Sequence, residues 1–270
     1  MNKKIIFIIA GVLLFAIIVV VIFKKGSSSV QIKNGKVTSV PGLLSQAKES
    51  EAKEDPAGAR LSYQALVSEF PNSSEVMNWQ KKIDDLNIRI LFSPAITPKS
   101  VLYEIKSGDT LAKIAKQFNT TVELIKKSNN LKQDIIIPGK KVKVWTAPFT
   151  ILVDKSQNIL ILKSDEDIFK TYIVSTGANN STPVGTFKIV NKLTNPTWFK
   201  AGAVVPSGSS DNVLGTRWMG FNLAGYGIHG TTEPQNLGKQ VTQGCVRMAN
   251  QEVEELYAIV PVGTEVAVVD

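Results

Sequence analysis

Cysteine and histidine are the scarcest reactive residues of this 270-residue chain, which contains one of each. A single cysteine excludes an intramolecular disulfide, and no cysteine lies near the first apolar run, which excludes lipid attachment there. One histidine and one cysteine are too few for a typical zinc-ligand set, so we expect no metal site. The sequence also lacks a glycine-rich phosphate loop, and we expect no cofactor.

Positive charge is unevenly distributed along the chain, whose formal net charge is +8. Residues 99–145 contain ten basic and four acidic residues, whereas residues 146–270 contain nine and eleven. A basic block attracts an anionic polymer or envelope, although scattered solvated lysines are the simpler interpretation. No basic stripe interleaved with aromatic residues is present, which argues against nucleic acid as a partner.

The longest apolar stretch, of nineteen residues, runs from Ile5 to Phe23 and has two lysines on each side. Its length matches the roughly 20 residues that a helix needs to cross the hydrocarbon core. A cleavable signal peptide is the alternative, but the run exceeds a usual signal core and no small-x-small cleavage site follows it. We therefore predict an uncleaved anchor in residues 1–25 that contacts the cytoplasmic membrane through residues 5–23.

Residues 26–98 combine a Gly/Ser-rich tether with a helical segment. Prolines and capping residues divide this segment into predicted helices near Leu43–Lys53, Gly58–Glu69 and from a Ser73/Ser74 cap to Phe92. The pattern resembles one tetratricopeptide-type helical hairpin, fewer than the three or so repeats of an independent array. We interpret it as a spacer, with a docking face for a protein partner as the alternative.

Residues 99–145 form the basic block and predict a compact β-α-α-β unit. A strand near Leu102–Ile105 is followed by a turn, and Asp109 is expected to cap a helix that turns Leu111 inward. Thr120 or Thr121 is expected to cap a second helix, and Lys141–Val144 is the predicted returning strand.

This block resembles the LysM module. The resemblance rests on Tyr103, the run from Ser107 to Leu111, Ile114-Ala115, Phe118, Thr121, Ile125, Asn129, Leu131, Ile137-Pro138-Gly139 and Val142. It implies binding of N-acetylglucosamine-containing glycan, here the peptidoglycan strand, in a groove between two loops, Ser107–Leu111 and Asn130–Pro138. The glycan-binding residues it implies are Ser107, Gly108, Asp109, Thr110, Leu111, Asn130, Ile137 and Pro138.

Residues 146–270 have the pattern of short strands separated by Gly and Pro turns, and one helix is expected near Gln251–Ile259. This pattern predicts a mainly-β domain, either a β-sandwich or a partly open barrel. The whole chain is therefore expected to be a multidomain α+β protein.

The only histidine, His229, and the only cysteine, Cys245, lie 16 positions apart in this last block, each beside glycine. A thiol reacts as the thiolate, and a nearby imidazole that takes its proton is the usual means of activation. A buried spectator cysteine and a core histidine are the alternative for the pair taken alone.

The motifs of this block resemble, in order, the L,D-transpeptidase catalytic domain of the YkuD type. They are V-D-x-x-x-N-x-L, S-T-G-x-x-x-S-T-P-V-G-T-F-K-I, N-P-T-W, L-G-x-R-W-M, Y-G-I-H-G-T and G-C-V-R-M. The resemblance implies that Cys245 is the nucleophile and His229 the proton donor and acceptor. It also implies that the Gly230 carbonyl orients His229 and that backbone N–H groups of Gly244 and Cys245 meet the oxyanion.

One position departs from many members of that family, in which a second histidine precedes the Gly-Cys pair. Here the residue is Gln243, which forms hydrogen bonds but cannot carry a proton. Acid–base work therefore falls on His229 alone. Arg247 is expected either to hold a substrate carboxylate or to buttress its loop. The further substrate-binding candidates are Tyr226, Trp218, Thr231 and Gln243.

The resemblance implies an enzyme that joins peptidoglycan stem peptides through a cysteine thioester and forms 3→3 cross-links, and the apolar run predicts that it is anchored in the membrane. Its soluble domains are expected on the outer face of a bacterial cytoplasmic membrane, because that is where the substrate lies. An L,D-carboxypeptidase and a transferase that attaches a protein to the wall share every named residue, so the sequence does not separate them. A non-catalytic glycan-binding scaffold is the alternative from another class.

Overall fold

The computed structural model describes residues 39–200 and 202–270. The described chain divides into two compact units, one that ends at Asn87 and one that comprises residues 88–270. The predicted anchor, residues 5–23, and the Gly/Ser-rich tether lie outside the described residues. Within the described part of the chain, no helix has the length and apolar character needed to span a membrane.

Three helices follow one another in the spacer: α1 (Val40–Ala52), α2 (Pro56–Glu69) and α3 (Val76–Leu91). Side chains cap the first two helices: Ser39 accepts the Gly42 N–H, and Asp55 accepts the Gly58 N–H. Each of the two helices has proline in its first turn. Their apolar faces meet in one buried cluster that includes Ala47, Leu66 and Trp79. The three predicted helices are present within a few residues of the expected bounds.

The basic block forms the predicted β-α-α-β unit. Its elements are β1 (Ser100–Glu104), α4 (Leu111–Gln117), α5 (Val122–Ser128) and β2 (Lys141–Trp145), with β1 antiparallel to β2. Thr121 caps α5, but Thr110 rather than Asp109 caps α4, through its side chain and the Lys113 N–H. Asp109 instead accepts hydrogen bonds from the Tyr103 hydroxyl and the Lys106 N–H, which close the turn before the helix.

The C-terminal domain is mainly β, as predicted. Its strands are β3 (Phe149–Asp154), β4 (Ile159–Ser164), β5 (Asp167–Ile173), β6 (Thr176–Gly177), β7 (Gly185–Thr194), β8 (Trp198–Lys200), β9 (Ala203–Val205), β10 (Arg217–Phe221), β11 (Gly227–His229), β12 (Gln240–Thr242), β13 (Val246–Arg247) and β14 (Glu265–Val269).

Eight of these strands form one continuous mixed sheet in the order β13-β11-β10-β7-β14-β3-β4-β5. The sheet is continuous through β7, which pairs with β14 through residues 185–188 and with β10 through residues 189–194. The remaining strands form the small pairs β6–β12 and β8–β9.

One helix, α6 (Asn250–Ile259), packs its apolar side into the core of this domain through Val253, Leu256 and Ile259. The Lys192 ammonium closes its C-terminal end by donating to the carbonyls of Tyr257, at 2.6 Å, and Val260, at 2.8 Å. A cation at this position also complements the helix dipole. Helix α6, which begins three residues after β13, is therefore fixed against the core at both its apolar side and its C-terminal end.

The β-α-α-β unit packs against the mainly-β domain within the same compact unit. Leu124 of α5 belongs to the apolar cluster that contains Trp145 and Phe149, and the Thr121 hydroxyl donates to the carbonyl of Ala258 near the end of α6. At the opposite edge, Lys99 Nζ lies 2.9 Å from a carboxylate oxygen of Asp167. The two modules are thus joined by buried contacts and not only by the chain.

Candidate active site

Parallel pairing of two short strands brings His229 and Cys245 together. β11 and β13 place Ile228 opposite Val246 and His229 opposite Arg247. Because paired residues of neighbouring strands share a face, His229 and Arg247 leave the sheet on one face. Cys245 directly precedes β13, and its thiol donates to the carbonyl of Gly225, just before β11. The strand pairing therefore brings the segment that contains Cys245 beside the strand that ends at His229.

The His229 ring is held in one orientation. The side chain is 3% exposed, and its Nδ1 lies 2.7 Å from the Gly230 carbonyl oxygen. A carbonyl only accepts, so Nδ1 carries the proton and Nε2 is left as the basic nitrogen. The indole of Trp218 stacks on the imidazole, with ring centroids 5.9 Å apart and planes at 19°.

Two glycines make room for that indole. A Cβ at Gly220 would lie 2.8 Å from the Trp218 ring nitrogen, and one at Gly227 would lie 3.0 Å from a ring carbon. The indole N–H donates to the side-chain oxygen of Asn191 on the neighbouring strand β7, at 3.0 Å. Trp218 is therefore fixed at its far edge, and its face is presented to His229.

The Cys245 thiol is half-buried and donates to the carbonyl of Gly225 at 3.4 Å. The turn before it is tightened by Thr242, whose hydroxyl donates to the Cys245 carbonyl at 2.6 Å and accepts the Gly244 N–H at 3.1 Å. Gly244 has φ +129°, and a Cβ there would lie 2.7 Å from the ring of Tyr226. Only glycine fits this conformation and this close approach.

Burial keeps both reactive groups neutral at rest. It lowers the pKa of His229 to about 4; the Arg247 charge also lowers it, and the hydrogen bond to Gly230 opposes the change. Burial raises the pKa of the Cys245 thiol, although the Gly227 N–H and the Arg247 charge act to lower it. The low dielectric disfavours a thiolate–imidazolium pair before a substrate is bound.

Arg247 links the strand after the cysteine to the loop after the histidine. Its guanidinium Nη1 lies 2.8 Å from a carboxylate oxygen of Glu233, and the residue is 8% exposed. Its buried Nε has no hydrogen-bond partner. The ion pair with Glu233 favours one of the two expected roles of Arg247, which is to hold its loop in place, over binding of a substrate carboxylate.

Two other expectations for this site need correction. Thr231 does not line an open cleft, because it is 3% exposed and its hydroxyl accepts the Glu233 N–H at 2.9 Å. The Gly244 N–H is already bonded to the Thr242 hydroxyl, so it is not free to meet an oxyanion. Gln243 is exposed, and Tyr226 is half-buried beside the cysteine turn.

The residues predicted to bind glycan are divided between surface and core. Ser107, Gly108, Thr110, Asn130 and Pro138 are exposed and Asp109 is half-buried, but Leu111 is 2% exposed and belongs to the module core. A cavity of about 330 Å³ lies beside the second predicted loop. Its lining includes Ile105, Leu131, Ile135, Ile137 and Lys141. The Ser107–Leu111 loop does not line this cavity, and the groove between the two loops stays a prediction.

The sequence reasoning did not identify the supporting residues Asn191, Glu233, Thr242 and Asn250. Asn191, Glu233 and Asn250 bond partners more than ten positions away, so no local pattern marks them, whereas Thr242 bonds Gly244 and Cys245 within its own turn. Among the described residues, no group of three or more His, Cys, Asp or Glu side chains is placed to hold a metal ion.

Comparisons with known proteins agree with this geometry. Residues 148–268 match the family model of the YkuD L,D-transpeptidase catalytic domain, and residues 103–145 match that of the LysM domain. The chain is 35% identical to a protein of Bacillus licheniformis named as an L,D-transpeptidase, YkuD, across 62% of this chain and 98% of the relative. It is 40% identical to one of Bacillus subtilis named as an L,D-transpeptidase, YqjB, across 44% of this chain and 70% of the relative.

A solved L,D-transpeptidase from Mycobacterium smegmatis aligns at 17% identity with a TM-score of 0.40, covering 50% of this chain and 65% of that chain. The family assignment rests on the two domain models and on relatives matched over nearly their whole length. The chain belongs to the L,D-transpeptidase family, with a LysM domain followed by a YkuD-type catalytic domain.

Proposed function

We propose that this protein is a cysteine-dependent L,D-transpeptidase that joins stem peptides of peptidoglycan by 3→3 cross-links. The observation that carries the proposal is the His229 ring itself. Its Nδ1 is bonded to the Gly230 carbonyl at 2.7 Å, which leaves Nε2 as its basic nitrogen, on a strand that pairs with the one that directly follows Cys245. An imidazole of fixed tautomer beside a thiol is the arrangement that nucleophilic acyl transfer requires.

In the first half-reaction, Nε2 of His229 takes the thiol proton, and Sγ of Cys245 attacks the carbonyl carbon of the third residue of a tetrapeptide stem. The neutral resting pair means that this proton moves when the substrate is bound rather than beforehand. The amide C–N bond then breaks as a C–S bond forms. His229 returns the proton to the departing amine of the terminal D-Ala, and a thioester remains.

In the second half-reaction, the side-chain amine of a diamino acid on another stem attacks the thioester. A new amide C–N bond replaces the C–S bond, and the proton of the amine passes through His229 back to the sulfur. The Cys245 N–H is the candidate donor to the oxyanion in both steps. One such donor contributes about 3–4 kcal/mol of transition-state stabilisation in well-studied acyl transferases.

We further propose that residues 5–23 anchor the protein in the cytoplasmic membrane, with the LysM and catalytic domains on the outer face. The apolar run in the sequence and the location of the substrate support this arrangement. The LysM domain would bind the glycan strand, and the catalytic domain would act on its stem peptides. Two separate elements then hold the enzyme where its substrate is made.

The test is incubation of the full-length protein with disaccharide tetrapeptides, followed by mass spectrometry of protein and products. We expect an acyl-enzyme on Cys245 and 3→3 dimers, and loss of both in Cys245→Ala. Release of D-Ala without dimers would identify a carboxypeptidase instead. Transfer of the stem peptide only to the amine of another protein would identify a wall-attachment enzyme. Products that Cys245→Ala still forms would contradict cysteine dependence, and a native protein that forms neither acyl-enzyme nor products would contradict the whole proposal and leave a glycan-binding scaffold.

A further inference from the structure

The peptide group between Gly230 and Thr231 takes part in two hydrogen bonds at once. Its carbonyl oxygen lies 2.7 Å from His229 Nδ1, and its N–H donates to the side-chain oxygen of Asn250 at 3.1 Å. A peptide group is rigid and planar, so a constraint on its N–H is also a constraint on its carbonyl. Asn250, at the first turn of α6, is thereby connected to the imidazole through one intervening group.

Asn250 makes further contacts that fix its own amide. Its oxygen also accepts the Thr216 N–H at 3.2 Å, and its nitrogen donates to the Thr231 carbonyl at 2.8 Å. With two N–H groups at one end and a carbonyl at the other, only one orientation of the amide satisfies all three. Thr231 is thus held through both its N–H and its carbonyl.

Two glycines allow this close approach. A Cβ at Gly230 would lie 2.1 Å from the Asn250 oxygen, and a Cβ at Gly215 would lie 2.2 Å from it. Either contact is impossible for a side chain, so any other residue would push the amide away. The loop that follows His229 is therefore built to bring its backbone against Asn250.

The stack on Trp218 does not supply the same constraint. Stacking fixes the plane of the His229 ring, but a half-turn about the Cβ–Cγ bond restores the same plane with Nδ1 and Nε2 at the opposite edge of the ring, and stacking does not select a tautomer. The hydrogen bond to the Gly230 carbonyl selects the nitrogen that carries the proton. Hydrogen bonds in series also polarise one another, so the bond from Thr231 to Asn250 strengthens the carbonyl as an acceptor.

We infer that Asn250 is a positioning residue for the reaction proposed above: by holding the Gly230–Thr231 peptide, it keeps His229 in the Nδ1–H tautomer with Nε2 toward the thiol. The inference rests on the proposed function and adds a residue to it. Asn250 touches no reacting atom, and its effect passes through the peptide group alone.

The single histidine makes this testable by nuclear magnetic resonance, because ¹⁵N-histidine labelling of the full-length chain gives one imidazole signal set. In the native protein we expect the Nδ1–H tautomer with a slowly exchanging proton. In Asn250→Ala we expect mixed tautomers, fast exchange and an acylation rate of Cys245 by a carbapenem that is lower by about tenfold to a hundredfold.

Two variants separate positioning from a purely structural role. Asn250→Asp keeps the acceptor for the Thr231 N–H and loses the donor to the Thr231 carbonyl. We therefore expect the native tautomer of His229 and a lower melting temperature of the protein. Asn212→Ala is the matched control: Asn212 is 3% exposed and also bonds several loop backbone groups, including the Pro196 carbonyl at 2.8 Å. Its loss should lower the melting temperature and leave the imidazole signals unchanged.

Three results would overturn the inference. They are a native protein in the Nε2–H tautomer, a folded Asn250→Ala with native signals and acylation rate, and a folded Asn250→Asp that loses the Nδ1–H signal. If Asn250→Ala does not fold, the native protein and Asn250→Asp still decide the question. Failure of the proposed function looks different, because the native protein would then form no 3→3 dimers, or Cys245→Ala would still form them, whatever the tautomer of His229.

Discussion

Trp218 and His229 face each other across adjacent antiparallel strands, with their rings stacked at 19° and their centroids 5.9 Å apart. The indole covers one face of the imidazole and excludes water from it, and it contributes to the burial that lowers the pKa of His229. Trp218, predicted from the sequence as a substrate-binding residue, thus supports the ring of His229, the proposed acid–base residue.

We expect Trp218→Ala to slow carbapenem acylation of Cys245 by tenfold or more, because the imidazole loses its stacking partner and gains solvent. Trp218→Phe retains a stacking ring but loses the indole bond to Asn191, and should be affected less. Asn191→Ala should match Trp218→Phe. Equal acylation rates in the native protein and Trp218→Ala, measured by intact-protein mass spectrometry, would exclude this role.

Alkylation of the thiol should report the neutral resting pair. Since burial raises the pKa of Cys245, the rate of reaction with iodoacetamide should be low at neutral pH and should keep rising into the alkaline range. A preformed thiolate–imidazolium pair would instead give a plateau from acid to neutral pH. The measurement is the second-order rate against pH, with Cys245→Ala as the blank.

The stability of the fold should depend on His229 in a defined pH window. Its pKa falls from 6.5 to about 4 on folding, so the unfolded chain binds the proton first as the pH is lowered. The free energy of unfolding should therefore decrease as the pH falls from 6.5 to about 4, by roughly 3 kcal/mol for this shift. Denaturant titrations of the native protein and His229→Gln should diverge in this window, and parallel curves would contradict the prediction.

Lys143 is the least exposed cation of the LysM domain, at 1% exposure. Its ammonium donates to the carbonyls of Ile90 at 2.8 Å, Leu91 at 3.3 Å and Ser93 at 2.7 Å, where α3 ends. Burial lowers its pKa to about 8, so it is still mainly charged at neutral pH.

We expect Lys143→Met to destabilise the protein by roughly 2–3 kcal/mol, because three carbonyls lose a charged donor while the apolar stem is replaced. The exposed Lys127, whose ammonium lies 4.7 Å from the Phe92 ring centroid, is the matched control. Lys127→Ala should cost less than about 1 kcal/mol. Thermal unfolding of both variants at pH 7 is the measurement, and similar losses would argue against a capping role for Lys143.

Local patterns were sufficient to predict much of this fold. Proline and capping residues predicted the helices between residues 39 and 92, and Gly and Pro turns predicted the short strands of residues 146–270, because these signals act over a few residues. The scarcity of cysteine and histidine identified Cys245 and His229 without any structure. The continuity of the eight-stranded sheet was not predictable, since it depends on β7 pairing with two strands far apart in sequence.

The errors at the site have a common physical origin. Leu111 and Thr231 were expected at binding surfaces, and a substrate carboxylate was one of the two expected partners of Arg247, but tertiary packing buries all three. Burial of a polar residue depends on partners elsewhere in the chain, such as Glu233 for Arg247. Asn250 escaped notice for the same reason, because its partners Thr216 and Thr231 lie 34 and 19 residues away.

The helix α6 connects the catalytic domain and the LysM domain over a fixed distance. At its first residue, the Asn250 side chain accepts the Thr231 N–H from the loop after His229. Near its other end, the Ala258 carbonyl accepts the hydroxyl of Thr121 from the LysM domain. Ten residues of helix measure about 15 Å. A glycan strand bound to the LysM domain would therefore present its stem peptides to Cys245 at a fixed distance from the bound sugars. Stem peptides at other distances along the strand would reach Cys245 only after the strand moves along the LysM domain.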